Sequence, residues 1–189
     1  PNWVDTEVFS PSSDQSKRRN GILFLGRFTD QKNPSLLIDA VSGTNLPLTI
    51  VGSGGDENII REKINLEGIE AVIRNNIPNR SLPAFYQQCA VYVICSRYEG
   101  NPKTLLEAMS CGCAVIGTDV KGVREIIDHG KNGILVDQDA TSLRRAILDL
   151  ISDQDLRLKL GEAARRGVIQ KHSLDAAVEA EWQAYNSLI

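Results

Sequence analysis

The sequence is poor in the residues that support metal centres, disulfide frameworks or membrane insertion. Its 189 residues include two histidines, four cysteines and one methionine, and no two cysteines are spaced C-x-x-C. The longest apolar runs, such as residues 91–95, have the length of a strand, far below the roughly 20 residues that span a bilayer. The sequence therefore predicts no metal site, no disulfide scaffold and no membrane-spanning helix.

The chain also lacks a strong excess of charge of either sign. Lys and Arg number 21 against 24 Asp and Glu, which gives a net charge of −3, and the basic residues are dispersed. This distribution argues against a general binder of nucleic acid or of an anionic membrane. The length and the 42% apolar content suit a single globular domain with a sizeable core.

The four cysteines fall in apolar segments with no neighbouring histidine. Free cysteine packs as a small hydrophobic residue, so we predict buried, unpaired thiols rather than metal ligands. Unpaired thiols and the absence of a visible signal peptide lead us to expect a cytoplasmic protein. The cysteines are Cys89, Cys95, Cys111 and Cys113.

From Gly21 onward, short β-rich runs alternate with helical segments, as in βαβ units. Residues 91–95 and 114–116 are continuously apolar, which indicates strands buried on both faces. The pattern predicts an α/β fold: a Rossmann-like parallel sheet sandwiched between helices, with extra C-terminal helices. The predicted strands are 22–25, 48–51, 71–74, 91–95, 114–117 and 133–136, and the predicted helices are 34–41, 57–67, 81–89, 102–111, 123–129, 142–151, 154–167 and 173–188.

Residues 1–20 show no periodicity and include a turn-rich stretch at 10–16. We predict that they form a linker outside the core, and that 21–189 form one domain. Asn33, Asp153 and Ser173 are among the expected helix caps.

The first candidate binding loop follows the first predicted strand, because open parallel sheets bind ligands beyond the carboxyl ends of their strands. Arg27 and Lys32 lie there beside the start of a helix, an arrangement that suits a phosphate or diphosphate, although solvated loop charges are an alternative. After the second strand, Gly52 and Gly54 permit close approach of a ligand or of another backbone. A plain tight turn explains them equally well, since the dinucleotide and P-loop patterns both fail.

The turn and helix after the fourth predicted strand carry a second candidate site. Glu99 lies in the turn and Glu107 lies within the helix. Between them, the N–H groups of Lys103, Thr104 and Leu105 should lack intrahelical partners and should face the same opening of the binding site. An anion site flanked by acceptors for hydroxyl groups suits a sugar nucleotide, although paired glutamates are also common as plain helix charges.

Together these motifs resemble the donor half of the retaining family 4 glycosyltransferases, also called group 1, which have the two-domain GT-B fold. The resemblance covers nearly the whole chain. It includes G-R-x-x-x-x-K at 26–32, E-x7-E at 99–107, and the runs 107–115, 122–125 and 130–136. Residues 2–11 resemble the family's interdomain segment, and 172–175 with Tyr185 resemble its closing helix.

The resemblance implies a role for each matching residue. Arg27 and Lys32 would contact the donor diphosphate and stabilise the charge on the leaving nucleotide, and Glu99 would lie near the hydroxyls of the transferred sugar. Glu107 would accept from the ribose hydroxyls. The other implied substrate-binding residues are Gly26, Gly52, Gly54, Gly100, Asn101, Lys103, Thr104 and Leu105, together with Arg74, Asn75 and Ile77 in the loop at the family's base pocket.

The same resemblance implies retaining transfer of a hexose from a UDP- or GDP-sugar, without cofactor or metal, to a glycan or lipid-linked acceptor such as lipopolysaccharide core. It also implies an N-terminal acceptor domain that is absent from this chain. We therefore expect the chain alone to bind nucleotide without transferring sugar. Any peripheral association with the inner face of the cell membrane would come through the absent domain.

Three departures from the family pattern limit these expectations. Pro102 stands where many members have glycine, so no sugar contact through that amide is possible. Cys113 replaces a common proline, and Lys121 with Gly122 replaces a common glycine pair.

Two other functions compete with the transferase. A Rossmann oxidoreductase shares the alternating pattern but requires a glycine-rich loop after the first strand, where this chain has G-R-F-T. A non-catalytic sugar-nucleotide binding module, or an epimerase relative with the same fold, would present a very similar sequence.

Overall fold

The computed structural model describes residues 2–14 and 19–186. Part of the predicted linker, at residues 1 and 15–18, and the predicted end of the last helix, at residues 187–188, lie outside the described residues. Within the described ranges, no helix is both long and apolar enough to cross a membrane.

Six strands form one parallel sheet in the order β3-β2-β1-β4-β5-β6. This is the Rossmann strand order, so the predicted fold class is confirmed, and the strand bounds agree with the predicted ones to within one residue. Since the sheet grows in opposite directions from β1 and β4, a crevice opens beyond the carboxyl ends of these two strands. The strands are β1 Ile22–Leu25, β2 Leu48–Val51, β3 Ala71–Arg74, β4 Val91–Ile94, β5 Ala114–Thr118 and β6 Ile134–Val136.

Helices cover both faces of the sheet. In β4, Val91 and Val93 pack into the cluster that includes α1, α2 and α6, whereas Tyr92 and Ile94 pack into the cluster that includes α3, α4 and α7. Burial of every residue of β4 confirms the prediction made from its unbroken apolar run. The helices are α1 Pro34–Val41, α2 Glu57–Leu66, α3 Leu82–Gln88, α4 Lys103–Ser110, α5 Lys121–Arg124, α6 Ala140–Ser152, α7 Gln154–His172 and α8 Leu174–Asn186, and a 3-10 turn at Asn79–Ser81 precedes α3.

The prediction that residues 1–20 lie outside the core is wrong for two side chains. Val4 and Phe9 are buried in the cluster of α3, α4 and α7. The Val4 N–H donates to the His172 carbonyl at 2.9 Å, and the Ser110 hydroxyl donates to the Phe9 carbonyl at 2.5 Å. Two isolated apolar residues form no periodic pattern in the sequence, so their burial could not be predicted from it. It results from their packing against the helices.

Two predicted helices and one predicted cap also need correction. α5 runs from Lys121 to Arg124 rather than over the predicted 123–129. α7 continues past Gly167 to His172, and Leu160, Ala164 and Val168 are buried along it. Asn33 precedes α1 with a left-handed backbone (φ 47°), and its side chain makes no capping hydrogen bond. The caps at the starts of α7 and α8 are confirmed by bonds from the N–H groups of Leu156 to Asp153 and of Ala176 to Ser173.

Candidate functional site

The loops that follow β1 and β4 meet across the crevice at the carboxyl edge of the sheet. The Arg97 N–H donates to the Gln31 carbonyl at 2.8 Å, and the Gln31 side chain donates to the Tyr98 carbonyl at 3.2 Å. The Arg97 guanidinium donates to Asp30 at 2.9 Å. These bonds join two loops far apart in the sequence into one wall of the candidate site.

An ion pair between Lys32 and Glu99 occupies this wall. The Lys32 ammonium contacts the Oε1 atom of Glu99, which also accepts from the Ser96 hydroxyl at 2.7 Å. The Glu99 side chain is only 6% exposed and that of Lys32 is 19% exposed. Because both charges are largely withdrawn from water, either one depends on the other or on a ligand for compensation.

Arg27 lies in the same loop as Lys32 but differs from it in exposure and in ion pairing. Its side chain is exposed, and among residues 2–14 and 19–186 it has no hydrogen-bond or ion-pair partner. The site thus combines one unpaired cation with one cation held by a carboxylate. An anionic ligand would meet the first directly and would compete with Glu99 for the second.

The start of α4 supplies unpaired backbone donors, although fewer than predicted. The N–H groups of Lys103 and Thr104 have no acceptor in the described part of the chain, but that of Leu105 donates to the Pro102 carbonyl at 3.1 Å. The prediction of a free Leu105 amide is therefore wrong, because the first turn closes tightly onto the residue before it. The Thr104 hydroxyl accepts from the Tyr92 hydroxyl at 2.9 Å, which fixes the threonine against the sheet.

Glu107 lies one turn further along α4 and is buried, with 2% of its surface exposed. Its Oε2 atom accepts from the Tyr86 hydroxyl at 3.0 Å. Burial raises the pKa of the Glu107 carboxyl, while the hydrogen bond from Tyr86 and the charge of Lys103 lower it. A buried carboxylate with spare acceptor capacity is suited to hydroxyl donors on a ligand.

The loop after β3 borders the far side of the crevice. The Asn75 amide donates to Glu57 of α2 at 2.8 Å, while Ile77 packs against the apolar cluster beneath. Arg74 is exposed, and its carbonyl accepts from the Gly52 N–H at 2.9 Å. These contacts tie the loop to α2 and to the end of β2.

The structure explains Gly52 and Gly54 by backbone packing. A Cβ atom would lie 1.9 Å from the Gly26 carbonyl oxygen if added at Gly52, and 2.4 Å from the Phe28 carbonyl oxygen if added at Gly54. The Phe28 N–H donates to the Ser53 carbonyl at 2.9 Å, which joins the loops after β1 and β2 directly. Close approach of another backbone is therefore observed at both glycines, whereas their contact with a ligand stays a prediction.

Gly100 and Asn101 lie at the outer rim of the site, next to the N-terminal segment. The Asn101 carbonyl accepts from the Asn2 side chain at 2.6 Å. The Lys103 ammonium lies 5.8 Å from the centre of the Trp3 ring, a cation–π contact. The segment that precedes the sheet therefore borders the first turn of α4.

Sequence reasoning did not place Tyr86, Ser96 or Gly122 in the site. Ser96 had a usable signal, since it directly follows a strand at the ligand-binding edge, but Tyr86 reads as an ordinary core residue. Gly122 belongs to the run 122–125 that resembles the family and, with Lys121, to a departure from its pattern, but it was not predicted to support the site. A Cβ atom at Gly122 would lie 2.2 Å from the Gly100 carbonyl oxygen and 2.6 Å from that of Glu99, so only glycine lets α5 support the Glu99 turn.

We expect Gly122→Ala to lower the free energy of unfolding by about 1–3 kcal/mol, because an overpacked contact must displace the backbone of the Glu99 turn. Urea denaturation measures this loss. Gly55→Ala is the matched control, since an added Cβ there meets no described atom within 4 Å. Equal stability of the two variants would contradict the close packing of α5 on this turn.

The chain matches a family model described as Glycosyl transferases group 1, over residues 5–167. It is 32% identical over 192 residues to an uncharacterized glycosyltransferase of Methanocaldococcus jannaschii, covering 99% of this chain and 52% of that protein. It is 27% identical over 166 residues to the lipopolysaccharide core biosynthesis glycosyltransferase LpsE of Rhizobium meliloti, covering 86% and 48%. The chain spans about half the length of these curated relatives.

Solved structures share the fold over the whole chain. Sucrose-phosphate synthase from Thermosynechococcus elongatus superposes with a TM-score of 0.90 at 26% identity, over 100% of this chain and 51% of that one. HepE of Anabaena, crystallised in complex with UDP, superposes with a TM-score of 0.86 at 20% identity, over 98% and 56%. At 20% identity, the similarity to HepE shows a common fold.

Proposed function

Because the chain belongs to the group 1 glycosyltransferases, we propose that it binds the nucleotide-sugar donor of glycosyl transfer in the crevice between the loops after β1 and β4. The observation that carries this proposal is the Lys32–Glu99 ion pair, which joins the loops after β1 and β4 at the edge of the sheet where Arg27 and the unpaired amides of α4 also lie. Family membership also removes the reason to consider an oxidoreductase.

The donor diphosphate is proposed to lie against Arg27, Lys32 and the N–H groups of Lys103 and Thr104. Two cations and a helix N-terminus form a strong anion site. During transfer, negative charge accumulates on the leaving nucleoside diphosphate, and the same donors would stabilise that charge. The binding groups thus contribute to the rate as well as to affinity.

The carboxylates of Glu99 and Glu107 are proposed to accept hydrogen bonds from hydroxyl groups of the donor. Glu107 would accept from the ribose, and Glu99, once released from Lys32, would accept from the transferred sugar. The base is assigned to the loop of Arg74, Asn75 and Ile77, which is anchored to α2. All of these contacts use side-chain or backbone hydrogen bonds, so we propose donor binding without a metal or cofactor.

The donor class is proposed to be a UDP- or GDP-sugar, and the UDP complex of the similarly folded HepE supports the first of these. We propose retaining transfer of a hexose to a glycan or lipid-linked acceptor, with lipopolysaccharide core favoured by the likeness to LpsE. Acceptor binding and any contact with the inner face of the cytoplasmic membrane are assigned to a further domain, because the chain spans about half of its relatives. The chain alone is expected to bind the donor without transferring sugar.

The ion pair between Lys32 and Glu99 has a consequence for the preference between donor and product. A nucleoside diphosphate that takes Lys32 leaves the largely buried Glu99 side chain without its counter-charge and with the Ser96 hydroxyl as its remaining hydrogen-bond donor among the described residues. A nucleotide sugar supplies hydroxyl donors to Glu99 at the same time. The site should therefore favour the intact donor over the nucleoside diphosphate product.

We expect Glu99→Gln to raise the affinity for UDP and GDP about fivefold, because it frees Lys32 and removes a negative charge beside the diphosphate. The preference for UDP-glucose or GDP-mannose over the corresponding diphosphate should fall. Equilibrium dialysis of both ligand classes measures these effects, with the exposed Glu62→Gln as the control. A loss of UDP and GDP affinity in Glu99→Gln would contradict the competition for Lys32.

Thermal unfolding tests the proposed function as a whole. A ligand that binds only the folded state raises the unfolding midpoint by mass action. UDP or GDP at millimolar concentration is expected to raise it more than UMP or GMP, because the diphosphate reaches both cations. An unchanged midpoint with UDP, GDP and ADP would refute donor binding by this chain.

A further inference from the structure

We propose that Tyr86 is a positioning residue of this site, whose hydroxyl holds Glu107 ionised and oriented to accept hydrogen bonds from the ribose. The inference rests on the proposed function and deepens it, since it assigns recognition of the ribose to a pair of side chains on two helices. Its basis is the 3.0 Å bond from the Tyr86 hydroxyl to Oε2 of Glu107, between two buried groups.

The ring of Tyr86 packs against two other aromatic rings. It makes edge contacts with Phe9 and Tyr92, at centroid distances of 6.1 Å and 5.7 Å. The side chain is completely buried, so its hydroxyl could bond water instead of Glu107 only if α3 moved. This hydroxyl is therefore a fixed donor rather than a mobile surface group.

The backbone of Tyr86 is held by two thiols. Its carbonyl accepts from Cys113 at 3.0 Å and from Cys89 at 3.4 Å. All four cysteines are buried and unpaired, as predicted from the sequence. Cys113 is one of the departures from the family pattern, and a proline at this position would have no side-chain donor for that carbonyl. The chain thus fixes the end of α3 with its own side chains.

The hydrogen bond matters because the carboxylate is buried. A buried ionised group is stable only if donors compensate for the water it has lost. A carboxylate has about four lone-pair sites, so the bond from Tyr86 and the additional contact from Asn79 leave acceptor capacity for a ribose hydroxyl. Without the tyrosine hydroxyl, Glu107 loses a donor and its protonated form is favoured.

Among residues 2–14 and 19–186, the other titratable groups that interact electrostatically with Glu107 are Tyr92 of β4, Lys103 of its own helix and Cys111 at the end of α4. Burial raises the pKa of the Tyr86, Tyr92 and Cys111 side chains, so these groups stay protonated and neutral at pH 7. Glu107 is therefore the group among them whose change of charge in acid should alter ligand binding.

The test compares the full chain with Tyr86→Phe in calorimetric titrations of UDP and GDP, their 2′-deoxy forms and inorganic pyrophosphate. We expect the preference for the ribo form over the 2′-deoxy form to fall about fivefold or more in the variant. Pyrophosphate affinity should stay the same. The pH midpoint below which UDP or GDP binding weakens should move upward, because removing the donor raises the pKa of Glu107.

Tyr185→Phe is the matched control, since it removes the hydroxyl of an exposed tyrosine on α8 that stacks on Trp182. It should keep both the ribo preference and the pH midpoint. If Tyr86→Phe does not fold, incorporation of 3-fluorotyrosine, whose hydroxyl is a stronger donor, should move the pH midpoint downward. An unmoved midpoint in the fluorinated chain would overturn the inference.

The outcomes separate this inference from the proposed function. If the unmodified chain binds none of these nucleotides, both fail. If it binds them, and Tyr86→Phe keeps the ribo preference and the pH midpoint, only the role of Tyr86 is refuted. A uniform loss that extends to pyrophosphate would identify Tyr86 as a structural residue and would also overturn the inference.

Discussion

Replacing Arg27 and Lys32 together by alanine is expected to weaken binding of UDP and GDP about a hundredfold or more. Hydrogen bonds to charged groups contribute about 1.5–3 kcal/mol each, and about 1.4 kcal/mol corresponds to a tenfold change in affinity. Two lost contacts therefore remove two or more orders of magnitude. Isothermal titration calorimetry of the double variant measures the effect.

The matched control for this double variant is Lys131→Ala with Arg145→Ala, which makes the same change in net charge at two exposed positions. In the native chain these cations pair with Asp128 and Asp149. If long-range charge alone governed affinity, both double variants would bind equally poorly. That result would remove the assigned roles of Arg27 and Lys32, whereas near-normal binding by the control supports them.

Replacing Glu107 by alanine is expected to weaken nucleosides, nucleoside monophosphates and nucleoside diphosphates alike, by about tenfold or more. The loss is uniform because all three share the ribose, and because a hydroxyl that bonds a charged acceptor contributes about 1.5–3 kcal/mol. Pyrophosphate, which has no ribose, should bind with unchanged affinity. Calorimetric titration with uridine, UMP, UDP and pyrophosphate measures this pattern.

Glu162→Ala on α7 is the control for Glu107→Ala, since Glu162 is an exposed glutamate in a pair with Arg166. Glu107→Gln is the conservative variant, which keeps an acceptor for the Tyr86 hydroxyl and should lose less affinity than alanine. If Glu107→Ala weakened pyrophosphate as much as UDP, its effect would be a collapse of α4, and the assignment to the ribose would fail.

The sheet could be predicted from the sequence because its strands are short runs rich in apolar and β-branched residues, separated by helical segments and polar loops. The bounds of β1, β2 and β3 were obtained in this way, and the rule that ligands bind at the carboxyl edge led to the loops holding Arg27 and Glu99. Local composition sufficed for these features because each depends on neighbouring residues. The position of both loops at one edge of the sheet could therefore be predicted.

The features that were missed depend on contacts between distant parts of the chain. The bond from Tyr86 to Glu107 joins two helices, and the ion pair from Lys32 to Glu99 joins two loops. Burial of Val4 depends on the end of α7, which no local pattern of the N-terminal segment reveals. Packing between elements decides such contacts, whereas hydrophobic periodicity reports only the elements themselves.

The most direct test of donor binding in the crevice is a two-dimensional ¹H–¹⁵N NMR titration of the chain with UDP, GDP and ADP. At least one of them is predicted to shift the amide signals of Arg27, Lys32, Lys103 and Thr104 together, and to saturate. The unpaired N–H groups at the start of α4 should show the largest shifts, because they gain an acceptor. Saturable shifts confined to another part of the molecule, or none with any of the three at millimolar concentration, would contradict the assignment of this crevice.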